Sequence, residues 1–436
     1  MIGRVLAALL AVVAAPAAAE TIAITNGIVA KGDGSEPIQG GTVLIRNGRI
    51  VAAGAGVRIP AAAQVIDATG KWVTPGIVGG FSRLGLSEVD LSADGSDDTN
   101  ANGPFSAAID VVPSINPLAS TIAVSRADGV TRALVAPQTG RSIFAGQGAV
   151  IDTGADMDPI TRPRLFQFVE LGEGGAATAG GSRSSAHVLF RNALREAAEL
   201  AGFARPIAVR RQRSEDVLLT RFDAAALVPV LQGRQYLFVH VERASDILQV
   251  LALKREFPSL KLVLVGASEG WTVADRIARA GVPVIASAVN DLPASFEQLA
   301  ATQSNVGRMR AAGVNVAIGL IDDNDTRYLF EQRQYAGNLV ALTRIPGATG
   351  VSWGEALAMI TSRPAQAIGM GGEIGSLAPG RRADVVIWSG DPLEGSSAAE
   401  AVFIDGVRQP LETHQTRLRD RYRYLPRRDL PEAYRH

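Results

Sequence analysis

The chain has 436 residues, and its 43 lysines plus arginines are balanced by 43 aspartates plus glutamates, so no overall field draws nucleic acid or anionic lipid. With 47% hydrophobic and 20% charged residues it is an ordinary globular mix, long enough for one large domain and a smaller module. The absence of cysteine excludes disulfides, thiolate ligands and thiol nucleophiles.

Arg4, the apolar run from Val5 to Ala15, the break at Pro16 and the small residues Ala17-Ala18-Ala19 have the layout of an export signal cleaved before Glu20. The run is shorter than the roughly 20 residues that a membrane-spanning helix needs. No cysteine follows it to carry a lipid. Residues 1–19 are therefore expected to be removed, and the mature protein to be periplasmic or secreted without a membrane span.

Short alternating runs come next. Thr21-Ile22-Ala23-Ile24 meets Asn26-Gly27, and Thr42-Val43-Leu44-Ile45 meets Asn47-Gly48 before Arg49-Ile50-Val51-Ala52-Ala53. Asn-Gly between such runs signals a two-residue hairpin. From about Trp72 the pattern changes to apolar strands alternating with amphipathic helices. Arg132 to Ala136 reads as a strand, and Gly172 to Ser185, rich in glycine, serine and alanine, as a mobile loop. Leu237 to Val239 is a strand, Ala244 to Phe257 a helix, Leu260 to Val265 a strand and Thr272 to Ala280 a helix. The strand Val282 to Ala286, a helix near Gln303 to Ala312 and the strand Asn315 to Ile318 complete the series. Such alternation predicts a parallel sheet buried on both faces, and its length fits an eight-stranded barrel with chemistry at the C-terminal strand ends.

Short strands return at Val385 to Trp388 and at Ala401 to Ile404, which runs into Asp405-Gly406. The predicted fold is α/β: a (β/α)8 TIM-like barrel over residues 72–370, with a small composite β-sandwich module built from residues 20–71 and 371–411. The Arg/Tyr-rich tail, 412–436, reads as a segment laid over the surface rather than a patch for nucleic acid, because Asp420, Asp429 and Glu432 offset part of its charge.

Two motifs frame the middle of the chain: Asp67-Ala68-Thr69-Gly70-Lys71-Trp72-Val73-Thr74-Pro75-Gly76-Ile77-Val78, and Ile374-Gly375-Ser376-Leu377-Ala378-Pro379-Gly380-Arg381-Arg382-Ala383-Asp384-Val385-Val386. They resemble the entry to the barrel and the return from it in the amidohydrolase superfamily. Gly129 to Pro137, Phe144 to Val150 and Val239 to Ala244 are most similar to its imidazolonepropionase-like branch. The resemblance implies a hydrolase of non-peptide or peptide-like carbon–nitrogen bonds. It also implies metal chemistry, with ligands from His-x-His after strand 1, often a carboxylated lysine on strand 4, histidines ending strands 5 and 6, and an aspartate on strand 8.

Position by position, most of that set is replaced. Phe81-Ser82-Arg83 stands where His-x-His is expected, and no lysine lies near Phe168. Strand 5 keeps His240, strand 6 runs into Gly266-Ala267-Ser268, and strand 8 continues as Leu320-Ile321 before Asp322 and Asp323. His240 and Glu242 share one side of a strand and are the candidate catalytic pair. Arg83, Phe81, Glu269 and Asp322 are the candidates for substrate binding. No cofactor is expected on the usual ligand set, because a lone imidazole cannot hold zinc. A rebuilt site of His240 with Glu242, Glu269, Asp322 or Asp323 could take one divalent ion such as zinc, and metal-free acid–base work by His240 is equally open. Against both stands a structural role, in which Glu242 pairs with Arg83 or Arg243. Asp322-Asp323-Asn324-Asp325 lacks the glycine and distal glutamate of an EF-hand loop.

Two functions remain open. One is a hydrolase acting on a small amide-like molecule. The other is a catalytically inactive barrel that binds a small ligand or pairs with an active, metal-bearing paralogue. A homodimer is compatible with either.

Overall fold

The computed structural model describes residues 21–88, 96–99, 103–202, 217–321 and 328–423. The export-signal residues, Asp322 and Asp323, and the tail beyond residue 423 lie outside them.

The chain opens with β1 (Thr21–Val29), β2 (Ile38–Arg46), β3 (Arg49–Gly54), β4 (Gln64–Asp67) and β5 (Trp72–Pro75). The barrel strands β6 (Ile77–Ser82) and β7 (Val130–Val135) are separated by α1 (Ser120–Ala127), and β8 (Phe144–Asp152) and β9 (Ile160–Glu170) follow. Next come α2 (Glu173–Thr178), α3 (Arg183–Leu200), α4 (Arg221–Leu231), β10 (Tyr236–Val241), α5 (Ala244–Glu256), β11 (Lys261–Gly266), β12 (Val284–Ala286) and β13 (Val316–Ile318). The chain then returns through β14 (Val385–Trp388), β15 (Ala399–Ile404) and β16 (Val407–Gln409).

Both flanks build one sheet in the order β16-β15-β14-β5-β1-β2-β3, with β4 added to β1. Its inner face is a core of its own, with Ile24, Val43, Ile45, Val73, Val385 and Phe403 among its members. Asn47-Gly48 forms the expected hairpin turn with φ of 50° and 71°, and Asp405-Gly406 repeats it with 52° and 79°. The two turns pack on each other so closely that a Cβ on Gly48 would lie 2.6 Å from the Asp405 carbonyl oxygen.

Asn26-Gly27 does not turn the chain. It sits inside β1 as a bulge, where Asn26 takes a φ of 61° and the pairing register with β2 shifts. The reason is a change of partner: Ile22 to Thr25 pair with β4, whereas Ile28 and Val29 pair with β5. Trp72, read above as the start of the barrel, belongs instead to this flanking sheet, because β5 pairs with β1 and β14. The barrel sheet begins at Ile77.

That second sheet runs in simple order from β6 to β13, forming the predicted eight-stranded barrel. Its ends meet where the Leu320 amide donates to the Phe81 carbonyl at 3.3 Å, and the buried Gln332 amide donates to the carbonyls of both Val78 and Ile318 at 3.2 Å. Gly80 makes this approach possible, since a Cβ there would lie 2.3 Å from the Ile318 carbonyl oxygen. One expectation is corrected. β8 runs antiparallel to both of its neighbours, because the links 136–143 and 153–159 are too short to carry a crossover helix. The expected mobile loop from Gly172 to Ser185 is also corrected: it holds α2 and the first turn of α3, with Ser182 capping α3 by accepting from the Ser185 amide. The tail helix His414–Tyr422 carries no buried residue.

Side chains inside the barrel alternate with those facing the helices. Phe166 and Phe238 stack at 4.0 Å between centroids, and Phe81 meets Phe168 edge-on at 5.2 Å. At the opposite end from the strand C-termini, the fully buried Arg132 of β7 ties the barrel to the flanking sheet. It donates to Asp384, Asp405, Asp152 and Thr161.

Candidate functional site

Along β10 the two-residue period points Phe238, His240 and then Glu242 into the barrel, while Leu237, Val239 and Val241 face the helices. On β9 the same alternation carries Phe166 and Phe168 inward, so that Glu170 is the next inward residue, at the strand end. His240 and Glu170 are register partners in the β9–β10 ladder. The result is a hydrogen-bonded line across the barrel mouth. His240 Nδ1 lies 2.6 Å from Glu170 Oε2, and Nε2 lies 2.9 Å from Glu242 Oε1.

The remaining carboxylate oxygens are held by main-chain donors. Glu170 Oε1 accepts from the Gly172 amide at 2.9 Å and Glu242 Oε2 from the Ser268 amide at 2.7 Å. With an acceptor against each ring nitrogen, the imidazole is favoured in its doubly protonated form. Burial alone would lower its pKa. The charges of Glu170 and Glu242 and their hydrogen bonds outweigh that effect and hold it well above the ordinary 6.5.

A third carboxylate lies close by. Glu297 Oε2 accepts from the Glu173 amide at 2.6 Å and from Arg183 Nη2 at 2.9 Å. Burial raises its pKa, and the neighbouring Glu170 and Glu242 charges add to that, against the opposing charge of His240.

Gly266 makes room for the line. It sits at φ 89°, and a Cβ there would fall 2.0 Å from Glu242 Oε1. Gly266→Ala is therefore expected to push Glu242 off His240 and to destabilise the fold by at least about 1 kcal/mol through the backbone strain alone. Thermal unfolding checks the second effect, and an unchanged melting temperature would contradict it.

The other sequence-predicted residues are placed differently. Phe81 is 1% exposed and packed in the barrel interior against Phe168, so it is a core residue, not the wall of an open site. Arg83 follows directly after β6 and is half-buried. Glu269 is buried, and its two oxygens accept the amides of Ala244, at the start of α5, and of Ala300, at 2.9 and 3.0 Å. Glu242 pairs with neither Arg83 nor Arg243 by any bond to its carboxylate described here, and Arg243 bonds to Asp246 at 2.8 Å. Asp322 lies outside the described residues. Among those residues no group of three or more side chains converges as a metal-holding cluster.

Sequence reading missed Glu170 and Glu297. Glu170 carries a signal, the alternation Phe166-x-Phe168-x-Glu170, which puts a carboxylate on the inward face at a strand end. Glu297 comes from the irregular stretch between β12 and β13, where no periodicity points to it.

Comparison with known proteins agrees with the architecture. The model of the Amidohydrolase family matches residues 261–413. Amidohydrolase tasK of Hapsidospora irregularis is 27% identical over 395 residues, which is 80% of this chain but only 38% of that protein's length. Imidazolonepropionase of Acidiphilium cryptum (strain JF-5) is 25% identical over 386 residues, covering 82% of this chain and 89% of the relative. Among solved structures, an amidohydrolase from Thermotoga maritima MSB8 superposes with a TM-score of 0.74 at 24% identity, covering 89% of this chain and 99% of that one. An adenosine deaminase from Xanthomonas campestris with bound zinc gives a TM-score of 0.53 at 17% identity, covering 92% and 98%. The last two likenesses concern the fold. With the barrel, the flanking sheet and the framing motifs in place, the chain is similar to the Amidohydrolase family over residues 261–413 and, over most of its length, to an imidazolonepropionase.

Proposed function

We propose that this protein hydrolyses carbon–nitrogen bonds in small amide-like molecules through an acid–base centre, Glu170–His240–Glu242, in place of a resident dimetal site. The observation that carries the reading is the unbroken line from Glu170 through both ring nitrogens of His240 to Glu242. The likeness to the Amidohydrolase family and to an imidazolonepropionase supplies the reaction class.

The donor set does not fit the metal centre that the family implies. Both nitrogens of His240 face carboxylates, the second oxygens of Glu170 and Glu242 accept amides, Phe81 is core, and the fixed cation of Arg83 stands at a ligand position. In the metal-free scheme Glu170, 13% exposed, takes a proton from the attacking water. The oxygen of that water bonds to the carbonyl carbon, the carbon–nitrogen bond breaks with its electron pair going to nitrogen, and His240 gives its Nδ1 proton to the departing nitrogen, keeping the Nε2 proton on Glu242. The 2.6 Å contact then returns the proton from Glu170 to His240. Glu242, 1% exposed, is a positioning residue that orients the ring.

A screen of N-acyl amino acids and cyclic amides on chelator-treated protein tests this. Turnover should survive chelation, and Glu170→Gln should lower kcat by about 10²-fold or more with little change in KM. Turnover that vanishes with the chelator and returns with zinc would sink the reading.

We further propose that the protein is exported. The support is the layout of residues 1–19, a positive charge, an apolar run and small residues before Glu20. N-terminal sequencing of the protein from its producing cell should begin at Glu20, and a retained Met1 would contradict this.

A further inference from the structure

The strand-end side of the barrel holds a cavity of about 230 Å³ that shares none of its lining with Glu170, His240 or Glu242. The segment leading into β8 forms one side through Gln138, Arg141 and Ile143. Leu189 of α3 forms another, and two loops close the space with Phe105 and Leu218.

The described ends of these loops, at Ser106 and Ala108 and at Leu218 and Leu219, are anchored on buried carboxylates. Asp223 of α4, 1% exposed, accepts from the amides of Ser106 and Ala108 at 2.8 Å with one oxygen, and from the Thr220 hydroxyl at 2.7 Å with the other. Glu196 of α3, 6% exposed, accepts from the amides of Leu218 and Leu219 at 2.8 and 3.0 Å, and from Asn192 Nδ2 at 2.7 Å. Burying a carboxylate is costly unless donors satisfy it, so two of them spent on loop amides around the same space hold its walls in a fixed shape.

The charge balance of the lining then points to a ligand. Asp223, which lines the cavity, has both oxygens engaged. Arg141 is the other charged lining residue; it is exposed, and no hydrogen bond or ion pair occupies its guanidinium among the described residues. Phe105, Leu189 and Leu218 give the same lining an apolar part. α2 connects this space to the acid–base centre: its Gly175 packs on Glu170, while Thr178 and Ala179 line the cavity.

We propose that this cavity binds a small organic carboxylate with an apolar body, Arg141 forking onto the carboxylate and the Phe105–Leu189–Leu218 side receiving the body. The site stands independently of the catalytic reading, because its test is binding.

Isothermal titration with phenylacetate, phenylacetamide and 2-phenylethylamine makes that test. Phenylacetate should bind best and the amine should not bind. Arg141→Met, at an exposed position that the fold does not depend on, should weaken phenylacetate at least about ten-fold, or about 1.4 kcal/mol, and leave phenylacetamide unchanged. Leu189→Trp, which fills the cavity, should abolish both, with its unfolding midpoint read alongside. Phenylacetate binding that is unchanged in Arg141→Met, or retained in a folded Leu189→Trp, would overturn the proposal, as would a wild-type protein that does not respond to phenylacetate.

Discussion

Arg132→Met is expected to cost the fold roughly 3–5 kcal/mol, the penalty of removing one partner from a buried ionic cluster. The guanidinium has no exposed side-chain surface and makes five hydrogen bonds: to Asp384 at 2.8 and 3.1 Å, to Asp405 at 2.9 Å, to Asp152 at 3.3 Å and to Thr161 at 2.7 Å. Methionine fills much of the space of the stem but leaves Asp384 and Asp152 without the cation they bond to, while Asp405 keeps Arg382. Burial lowers the affinity of Arg132 for its proton, and the charges of those aspartates outweigh this and raise it.

Burial also pushes Asp152 up to about 6, against the pull of Arg132. Its folded value lies above the ordinary 3.8, so its contribution to stability is full below 3.8 and is lost as pH rises through about 6. Without Arg132 that loss should deepen. Urea unfolding at neutral and mildly acidic pH measures both effects. A midpoint shift worth less than about 1 kcal/mol would mean that the cluster is not the tie between barrel and flanking sheet.

His240→Gln should reduce kcat/KM for whichever amide is turned over by about 10²–10⁴-fold, the range of a positioned acid–base group. Glutamine can still meet one carboxylate, so a folded but inactive protein is the expected outcome. Stability should respond to pH with a definite sign. The folded pKa of His240 is raised, so its contribution is full below the ordinary 6.5 and disappears as pH climbs through the folded value. The stability gap between wild type and His240→Gln should therefore narrow towards alkaline pH in thermal melts. A gap that widens would contradict the charged assignment of the ring.

Much of the fold was legible because local chemistry and global topology agree there. Asn47-Gly48 and the strands around it, or the alternation from Leu237 through Ile318, carry their structure in their own spacing. Asn26-Gly27 shows the limit. The same dipeptide becomes a bulge because β1 must change partners from β4 to β5, a requirement set by residues some forty positions away. The antiparallel β8 was hidden for a related reason: a strand's apolar pattern does not state its direction, and only the short links on either side do.

At the site, His240 and Glu242 could be read from one strand. Glu170 needed the barrel register that sets it beside His240, and Glu297 needed the tertiary fold of an irregular segment. Phe81 was read as a potential contact for substrate because of where it falls in the family pattern. The barrel interior claims it instead, where it is 1% exposed and its ring meets Phe168 edge-on.

Elemental analysis of the purified chain, before and after incubation with zinc and desalting, tests the acid–base assignment most directly. The line from Glu170 to Glu242 predicts well under one zinc per chain in both samples. A stoichiometric ion that survives desalting in the wild type and is lost in His240→Gln would show that these side chains serve a metal instead of one another.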